Sequence, residues 1–421
     1  MAVQNIQAYA HLSPEDVAEI GRRFAAIEQR HRETLGEKDA AYIRNLIRSQ
    51  RGLEVLSRFA FIVAPSLSIP ASATLGLAKI LENLEIGHNV MHGQWDWMND
   101  PEIHSSLWEW DNTGTSKGWK HSHNFSHHTF TNIIGMDNDI GYGIIRITRD
   151  RQWKPTTLIQ PLTNVVLAAL FEYAVAFYDV ELGRFFAGKQ SWEETKPALF
   201  ETLAKVRTQV TKDYIAFPAL AAIAGFMFPG KFGRKRSAMR RAQRAAQGAL
   251  AANLIRNIWA YAVIFCGHFP DDAETFTKRT LEEESKAEWY LRQMLGSANF
   301  RGGKILTILS GNLNYQIEHH LFPDMPSNRL SSIGKDVEKV ATEFGLPYNT
   351  DSFPRQFLEV QRTILKMALP NRMLRAKEYN APEVRSDEAF ERYPEVAAAV
   401  GSRQLTKGLK MLKALRPKFL A

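Results

Sequence analysis

A charge-free run of twenty residues, positions 59–78, limits most strongly what this chain can fold into. A helix of that length rises about 30 Å, which is the thickness of the hydrocarbon core of a bilayer. Pro65 and Pro70 interrupt the run, and proline breaks a helix in its interior. We therefore predict a hairpin with one helix over residues 53–64, a turn at PSLSIP, and a second helix from Ala71 to beyond Glu85. One straight span is the alternative.

A second apolar pair lies at residues 214–228 and 249–267. Between them KFGRKRSAMRRAQR carries seven basic residues and no acid. If both helices cross, this loop lies opposite the cytoplasm, against the positive-inside tendency, and a re-entrant pair is the alternative. Residues 162–177 are also apolar, but the segment is short and contains Glu172. We expect it to lie in the membrane interface or against the bundle.

The two ends of the chain are polar. Ser13 followed by Pro14, Glu15 and Asp16 is typical of a helix start, because the hydroxyl caps free N–H groups and acids favour the first turn. We expect an amphipathic helix that stays in the cytoplasm. The C-terminal GLKMLKALRPKFLA alternates basic and apolar residues, which is compatible with an anionic membrane surface or with a solvated helix.

Composition excludes several classes of protein. The 421 residues include 53 Lys and Arg against 45 Asp and Glu, a net charge of +8. This balance alone fits nucleic acid, anionic lipid or an acidic partner. Because no nucleic-acid recognition motif is present, we expect no nucleic-acid partner. The single cysteine, Cys266, excludes an intramolecular disulfide, a four-cysteine iron–sulfur cluster and a zinc ribbon.

Seven of the twelve histidines fall between His88 and His128, and their spacings are those of metal ligands. His88 and His92 are four residues apart and share one helix face. In HSHNFSHHTFTN, His123, His127 and His128 follow the pattern H-x-x-x-H-H. On an α-helix His127 returns to the azimuth of His123, whereas His128 points about 100° further round. One element could thus serve two metal ions.

A third group, Gln316, His319 and His320 in NYQIEHHLFP, has the spacing i, i+3, i+4 of one helix face. Imidazole suits iron, zinc and copper, and iron is the one of these that readily activates dioxygen. Seven histidines are too many for one tetrahedral zinc. They suit two irons that keep positions open for oxygen.

These motifs resemble those of the membrane fatty acid desaturases, with HNVMH as the first histidine box, HNFSHH as the second and QIEHH as the third. The surroundings GHNVMHGQWDWMNDPEIHSS, WKHSHN and GNLNYQIEHHLFP are similar to the bacterial acyl-CoA desaturase branch. The resemblance covers about residues 42–370, which we expect to form the desaturase domain. An N-terminal amphipathic helical region, 1–41, and a basic tail, 371–421, lie outside it.

The resemblance implies an all-α membrane protein with about four transmembrane helices in two hairpins. A cytoplasmic helical cap would hold the histidine-rich di-iron site, so the protein would be a multi-pass inner-membrane protein with a cytoplasmic active site. All boxes must lie on one side, which requires an even number of crossings between His128 and His268. The helices flanking the basic loop supply two.

The resemblance also implies the iron ligands, residue by residue. His268 falls where the family has an extra ligand outside the boxes, and Gln316 stands where many relatives have histidine. His104 and His121 match no ligand position. The expected set is His88, His92, His123, His127, His128, His268, His319, His320 and, less firmly, Gln316. Asp137, Asp139 and Glu318 could orient ligand rings.

The implied reaction introduces a cis double bond into a long acyl chain, carried as acyl-CoA or acyl-lipid, with two Fe²⁺ ions and dioxygen. No fused haem, flavin or ferredoxin motif is present, so two electrons would come from a separate ferredoxin or flavin/iron–sulfur reductase that uses NAD(P)H. Trp95, Trp97 and Trp119 are candidate walls of an acyl tunnel. A hydroxylase on the same scaffold is the nearest alternative, and a non-catalytic, zinc-binding membrane scaffold is a remote one.

Overall fold

The computed structural model describes residues 6–137, 139–149, 151–229, 231–282 and 284–374. The C-terminal sequence GLKMLKALRPKFLA lies outside the described residues. In chain order the α-helices are α1 (Pro14–Glu33), α2 (Glu37–Val63), α3 (Ser68–Ile80), α4 (Asn89–Met91), α5 (Ser116–Trp119), α6 (His128–Phe130), α7 (Gln160–Ala169), α8 (Phe171–Tyr178), α9 (Leu182–Phe186), α10 (Trp192–Val210), α11 (Phe217–Met227), α12 (Arg234–His268), α13 (Lys286–Leu295), α14 (Lys304–Leu309), α15 (Gln316–Leu321), α16 (Leu330–Phe344) and α17 (Phe353–Met367). Three π-helices, π1 (Leu81–His88), π2 (Lys120–His127) and π3 (Thr211–Ala216), join neighbouring α-helices, and β1 (Asn299–Arg301) pairs in parallel with β2 (Thr350–Ser352).

The predicted N-terminal helix is confirmed. Ser13 caps it: its hydroxyl accepts a hydrogen bond from the Asp16 N–H at 3.1 Å, and the Asp16 carboxylate accepts one from the Ser13 N–H at 2.9 Å. This reciprocal pair satisfies two N–H groups that a helix start leaves free. The apolar face of α1 packs on α13 and α16 in the same cluster as Ile317 of α15. The helix therefore braces the element that carries the third box.

The predicted hairpin is confirmed, with longer arms than expected. α2 ends at Val63, just before Pro65, because the residue before a proline is driven out of helical geometry. α3 begins at Ser68 and so includes Pro70 in its first turn, where a missing N–H leaves no hydrogen bond unmade. The predicted helix starts at residues 53 and 71 were wrong. α2 begins earlier, in the polar residues at Glu37, and α3 begins before Pro70.

The second apolar pair is also longer than predicted. Helices α10, π3 and α11 run on as one element, Trp192–Met227, and α12 is continuous from Arg234 to His268. The predicted basic loop is thus mostly the first turns of α12. Gly225 explains the close pairing, because a Cβ there would lie 2.7 Å from the Ser237 carbonyl oxygen. Ser237 itself is buried in this contact.

The short apolar segment at 162–177 is bent. α7 and α8 meet at Leu170 at an angle of 97°. By length and composition two helices of the described residues could cross a membrane, or three if this bent pair forms one span. The four-span count stays a prediction.

α12 is the central element of the bundle. It packs against α2, α3 and α11 and also against α7, α8 and α17. Its last residue, His268, lies at the same end of the bundle as His88, the last residue of π1. The two rings contact the adjacent residues His320 and His319, respectively. The paired strands hold Asn299, whose side-chain oxygen accepts a hydrogen bond from the Ile317 N–H at 2.9 Å. This bond anchors the helix of the third box.

Candidate metal centre

Eight histidines from four separate segments meet at one end of the bundle. All eight are at least nine-tenths buried apart from His123, whose side chain is 12% exposed. The rings pack directly on one another: the His128 and His320 centroids are 4.4 Å apart, and those of His92 and His319 are 4.6 Å apart. The predicted site residues His88, His92, His123, His127, His128, His268, His319 and His320 are all in this cluster, with Gln316 beside it.

The cluster divides into two groups. In the first, one ring nitrogen from each of four histidines lies within 4.8 Å of the others; the four are His88, His92, His123 and His319. The Nε2 atoms of His88 and His319 are 3.2 Å apart, although they come from boxes one and three. This arrangement suits one metal ion.

The second group contains His127, His128 and His320, whose ring nitrogens also lie within 4.8 Å of one another. His268 completes it: its ring centroid is 4.6 Å from that of His127 and 4.9 Å from that of His320. Boxes two and three thus contribute to both groups. The H-x-x-x-H-H segment serves both groups as predicted, but His127 lies with His128 and not, as the α-helical spacing predicted, with His123.

The helix type at box two differs from the prediction. Residues Lys120–His127 form π2, in which hydrogen bonds run from i to i+5 and the turn is wider than in an α-helix. In a π-helix residues i+4 and i+5 therefore lie on either side of the face of residue i. In an α-helix residue i+4 would lie on nearly the same face as residue i. The rings of His127 and His128 accordingly lie at nearly equal centroid distances from His123, 5.0 and 4.9 Å. A π-helix also precedes box one, whose first residue, His88, is the last residue of π1.

Gln316 contacts the histidine that lies outside the boxes. Its side-chain nitrogen is 3.0 Å from Nε2 of His268, and its side-chain oxygen is buried without a hydrogen-bond partner among the described residues. Gly267 makes this approach possible, since a Cβ there would lie 2.9 Å from the Gln316 side chain. Gln316 therefore lies within reach of the second group.

Acids and an amide hold several rings from outside. Both oxygens of Asp137 are 3.0 Å from Nδ1 of His127, and Asp139 is 3.2 Å from Nδ1 of His123. Such contacts fix the tautomer and direct the other ring nitrogen inward. Gln293, which no pattern in the sequence indicated, accepts from Nδ1 of His320 at 3.0 Å.

Glu318, the third predicted orienting acid, is engaged elsewhere. Its carboxylate accepts hydrogen bonds from Asn299 at 2.9 Å and from Tyr348 at 2.9 Å. On α15 it points away from its neighbours His319 and His320, because consecutive helix residues differ by about 100° in azimuth. It secures the third-box helix to β1 instead.

Seven of the eight rings have a buried nitrogen that a metal ion could take up. Among the described residues no hydrogen-bond partner exists for Nε2 of His92, His123, His127, His128 and His320 or for Nδ1 of His128, His268 and His319. A buried polar atom without a partner costs roughly 1–3 kcal/mol. So many converging lone pairs are expected where a bound cation satisfies them.

Electrostatics keep most of these rings neutral, as metal binding requires. Burial lowers the pKa of His92, His123, His128, His319 and His320. For His127 burial acts in the same direction, but the Asp137 and Asp139 carboxylates outweigh it and raise the pKa. The negative field that would favour a proton on His127 equally favours a cation there.

The remaining histidines lie apart from the cluster. Nδ1 of His104 is 2.8 Å from the Ser106 hydroxyl, and the exposed His121 stacks on Phe125. His11 contacts the Phe344 carbonyl, and His31 lies 3.3 Å from Asp336. His104 and His121 thus lie outside the histidine cluster.

A narrow cavity adjoins the first group. The space open to the centre of a water molecule is about 50 Å³, and its wall includes His88, His123 and Trp119. The Trp119 ring stacks on His123 at 4.5 Å between centroids. Trp119 is thus a wall residue as expected, whereas Trp95 is buried in a different apolar cluster and Trp97 is 37% exposed.

The Fatty acid desaturase family model matches residues 64–352, which include every histidine of the cluster. The chain belongs to the fatty acid desaturase family. It is also 49% identical over 397 residues to the NADPH-dependent stearoyl-CoA 9-desaturase of Mycobacterium tuberculosis, covering 93% of this chain and 89% of that one. The resemblance to the bacterial acyl-CoA desaturase branch is thereby confirmed.

A more distant relative of this desaturase is the sn-1 linoleoyl-lipid 6-desaturase of Synechocystis. It is 24% identical over 341 residues, which is 78% of this chain and 88% of the relative. The protein is therefore a membrane enzyme, an oxidoreductase that desaturates fatty acyl chains. Its family implies iron and dioxygen, and the paired histidine groups fit iron.

Proposed function

We propose that this desaturase is a di-iron acyl-CoA desaturase that introduces a cis double bond at the ninth carbon of a stearoyl-class chain. The observation that carries the proposal is the pair of buried histidine groups, whose unpartnered nitrogens converge beside a narrow cavity. The substrate and bond position are inferred from the mycobacterial relative.

We assign one iron to His88, His92, His123 and His319 and the other to His127, His128, His268 and His320. Four imidazole nitrogens would then hold each iron. Gln316, next to His268, is the ninth candidate, either as a ligand through its amide oxygen or as the residue that holds His268. When bound there, iron would activate dioxygen and supply the oxidising power that removes two hydrogens from adjacent methylenes.

The chain itself has to orient the ligand rings and enclose the acyl chain. Asp137, Asp139 and Gln293 hold the outer nitrogens of His127, His123 and His320, which keeps their inner nitrogens directed at the metals. The cavity beside His88 and His123 would take the acyl chain, because most of its wall is apolar.

Two electrons must come from outside the chain. Removing two hydrogen atoms from the acyl chain supplies two of the four electrons that reduce dioxygen to two water molecules. A separate ferredoxin or flavin/iron–sulfur reductase oxidising NAD(P)H would supply the others, together with two protons from solvent. The NADPH-dependent relative supports this source.

For the topology we propose two hairpins with four crossings, α2 with α3 and α11 with α12, and a cytoplasmic cap that carries the metal centre on the inner membrane. His88 and His268 lie at the same end of the helix bundle, which supports an even number of membrane crossings between them. The desaturase domain would extend over residues 42–370. Lipid would then surround the exposed apolar side chains of these helices, among them Phe59, Ile69, Ile223 and Leu250.

The test combines metal analysis with product analysis. Purified protein should hold about two irons per chain, and membranes with a reductase should convert stearoyl-CoA to the cis-9 product. His268→Ala should lose as much iron as His320→Ala, whereas His104→Ala should keep it. A hydroxylated product would favour the hydroxylase, and a chain that holds zinc and forms no product would leave only the scaffold interpretation. A folded His268→Ala variant with full iron would move the eighth ligand to Gln316.

A further inference from the structure

The cavity has a polar end far from the metals. Two helices run along it. On α12 Ile264 lines the cavity one turn before His268, and Asn257 lines it about 10 Å further away. Along α8 the wall runs from Glu172 to Asp179, the residue that directly follows the helix. The Asp179 carboxylate accepts a hydrogen bond from Ser122, the neighbour of His123. Both helices therefore have a metal end and a distal end.

A buried ion pair joins the two distal ends. Arg256 of α12 contacts the carboxylate of Glu172 on α8, and the two side chains are only 2% and 4% exposed. Arg256 also donates to the Asn257 side chain at 3.1 Å, and Asn257 donates to the Ala169 carbonyl at 2.9 Å. The backbone of Glu172 is held as well, by the Thr113 hydroxyl at 2.8 Å. The cavity thus ends on a fixed, charged floor.

We propose that the Glu172–Arg256 pair, with Asn257, is the stop that sets the longest acyl chain this enzyme accepts. The inference rests on the proposed function, because it takes the cavity as the place of the acyl tail. A methyl end that reached past Asn257 would have to separate the ion pair. Buried charges that lose their partners are strongly unfavourable, so the stop resists displacement more than an apolar floor would.

The side wall next to this floor is built from small residues. Gly114 and Ala176 face each other, and a Cβ at Gly114 would lie 3.7 Å from that of Ala176. Both residues line the cavity between Glu172 and Asp179. A larger side chain at Ala176 would therefore shorten the usable length, whereas removal of the ion pair would extend it. The two changes predict opposite shifts.

The experiment measures binding without turnover. Dissociation constants of saturated acyl-CoA esters, lengthened by two methylenes per step, are determined for the iron-loaded, oxidised enzyme in lipid nanodiscs by titration calorimetry. In the wild type the first ester beyond the limit should bind at least ~10-fold more weakly, a difference of about 1.4 kcal/mol. Glu172→Leu/Arg256→Met should move that step to longer esters, since apolar replacement of a buried pair is commonly tolerated.

Ala176→Leu should move the step to shorter esters. Ala174→Leu, the same substitution on α8 at a residue outside the cavity wall, is the matched control and should leave it unchanged. If the double variant folds and its step stays in place, the stop lies elsewhere and the inference is overturned. If the double variant does not fold, Asn257→Ala replaces it, because shortening this third residue of the stop should also move the step to longer esters. If no ester binds to the wild type, the proposed function itself fails.

Discussion

Asp137 accepts hydrogen bonds from three donors. Its two oxygens share Nδ1 of His127 at 3.0 Å, and they accept the backbone N–H of Asn132 at 2.7 Å and of Asp139 at 2.8 Å. The change Asp137→Asn keeps the shape of the side chain but leaves one accepting oxygen. The new NH₂ group must then face a backbone N–H or the His127 ring.

Two effects follow. A buried N–H left without an acceptor costs roughly 1–3 kcal/mol of stability. Loss of the carboxylate also removes the negative charge that raises the pKa of His127 and attracts a cation to it. Replacing such an orienting group typically lowers metal affinity about 10–100-fold, which corresponds to about 1.4–2.7 kcal/mol.

The assay is competition for iron between the purified protein and a chelator, with thermal unfolding measured on the same samples. Asp96→Asn is the matched control, because Asp96 also accepts from a backbone N–H, that of Ser105 at 2.7 Å, and lies near His104 outside the cluster. It should lower the melting temperature without changing iron affinity. The reasoning is refuted if Asp137→Asn folds and binds iron as tightly as the wild type.

Three further outcomes are expected. His127→Ala should lose iron and activity whereas His104→Ala retains both, measured as iron per chain; equal loss in the two variants would count against the assignment. A cysteine at Met239, which is 61% exposed near the start of α12, should react with an impermeant maleimide from the non-cytoplasmic side, and labelling only from the cytoplasm would favour a re-entrant pair. Gly225→Ala should destabilise the α11–α12 contact by about 1–3 kcal/mol through overpacking, whereas Gly52→Ala, with open space around it, should stabilise by about 0.4–1 kcal/mol; similar melting temperatures for both would contradict the close contact.

The features that the sequence determined by itself are local. Pro65 ends α2 because it forces the residue before it out of helical geometry, and Ser13 caps the residues directly after it. Ligand spacing within HNVMH, HNFSHH and QIEHH is read over five or six residues. These effects act between neighbours in the chain, so no knowledge of distant elements is needed. The family, the histidine boxes and the hairpin were therefore predictable.

Tertiary structure decided how far each helix extends and what surrounds the ligands. The basic residues after position 230 belong to α12 because packing against α11 at Gly225 carries the helix through them. Gln293 meets His320, and Glu172 meets Arg256, across many intervening residues. Such pairs depend on how whole helices cross and rotate against one another. Side-chain packing between distant segments determines this arrangement, and no local sequence pattern encodes it.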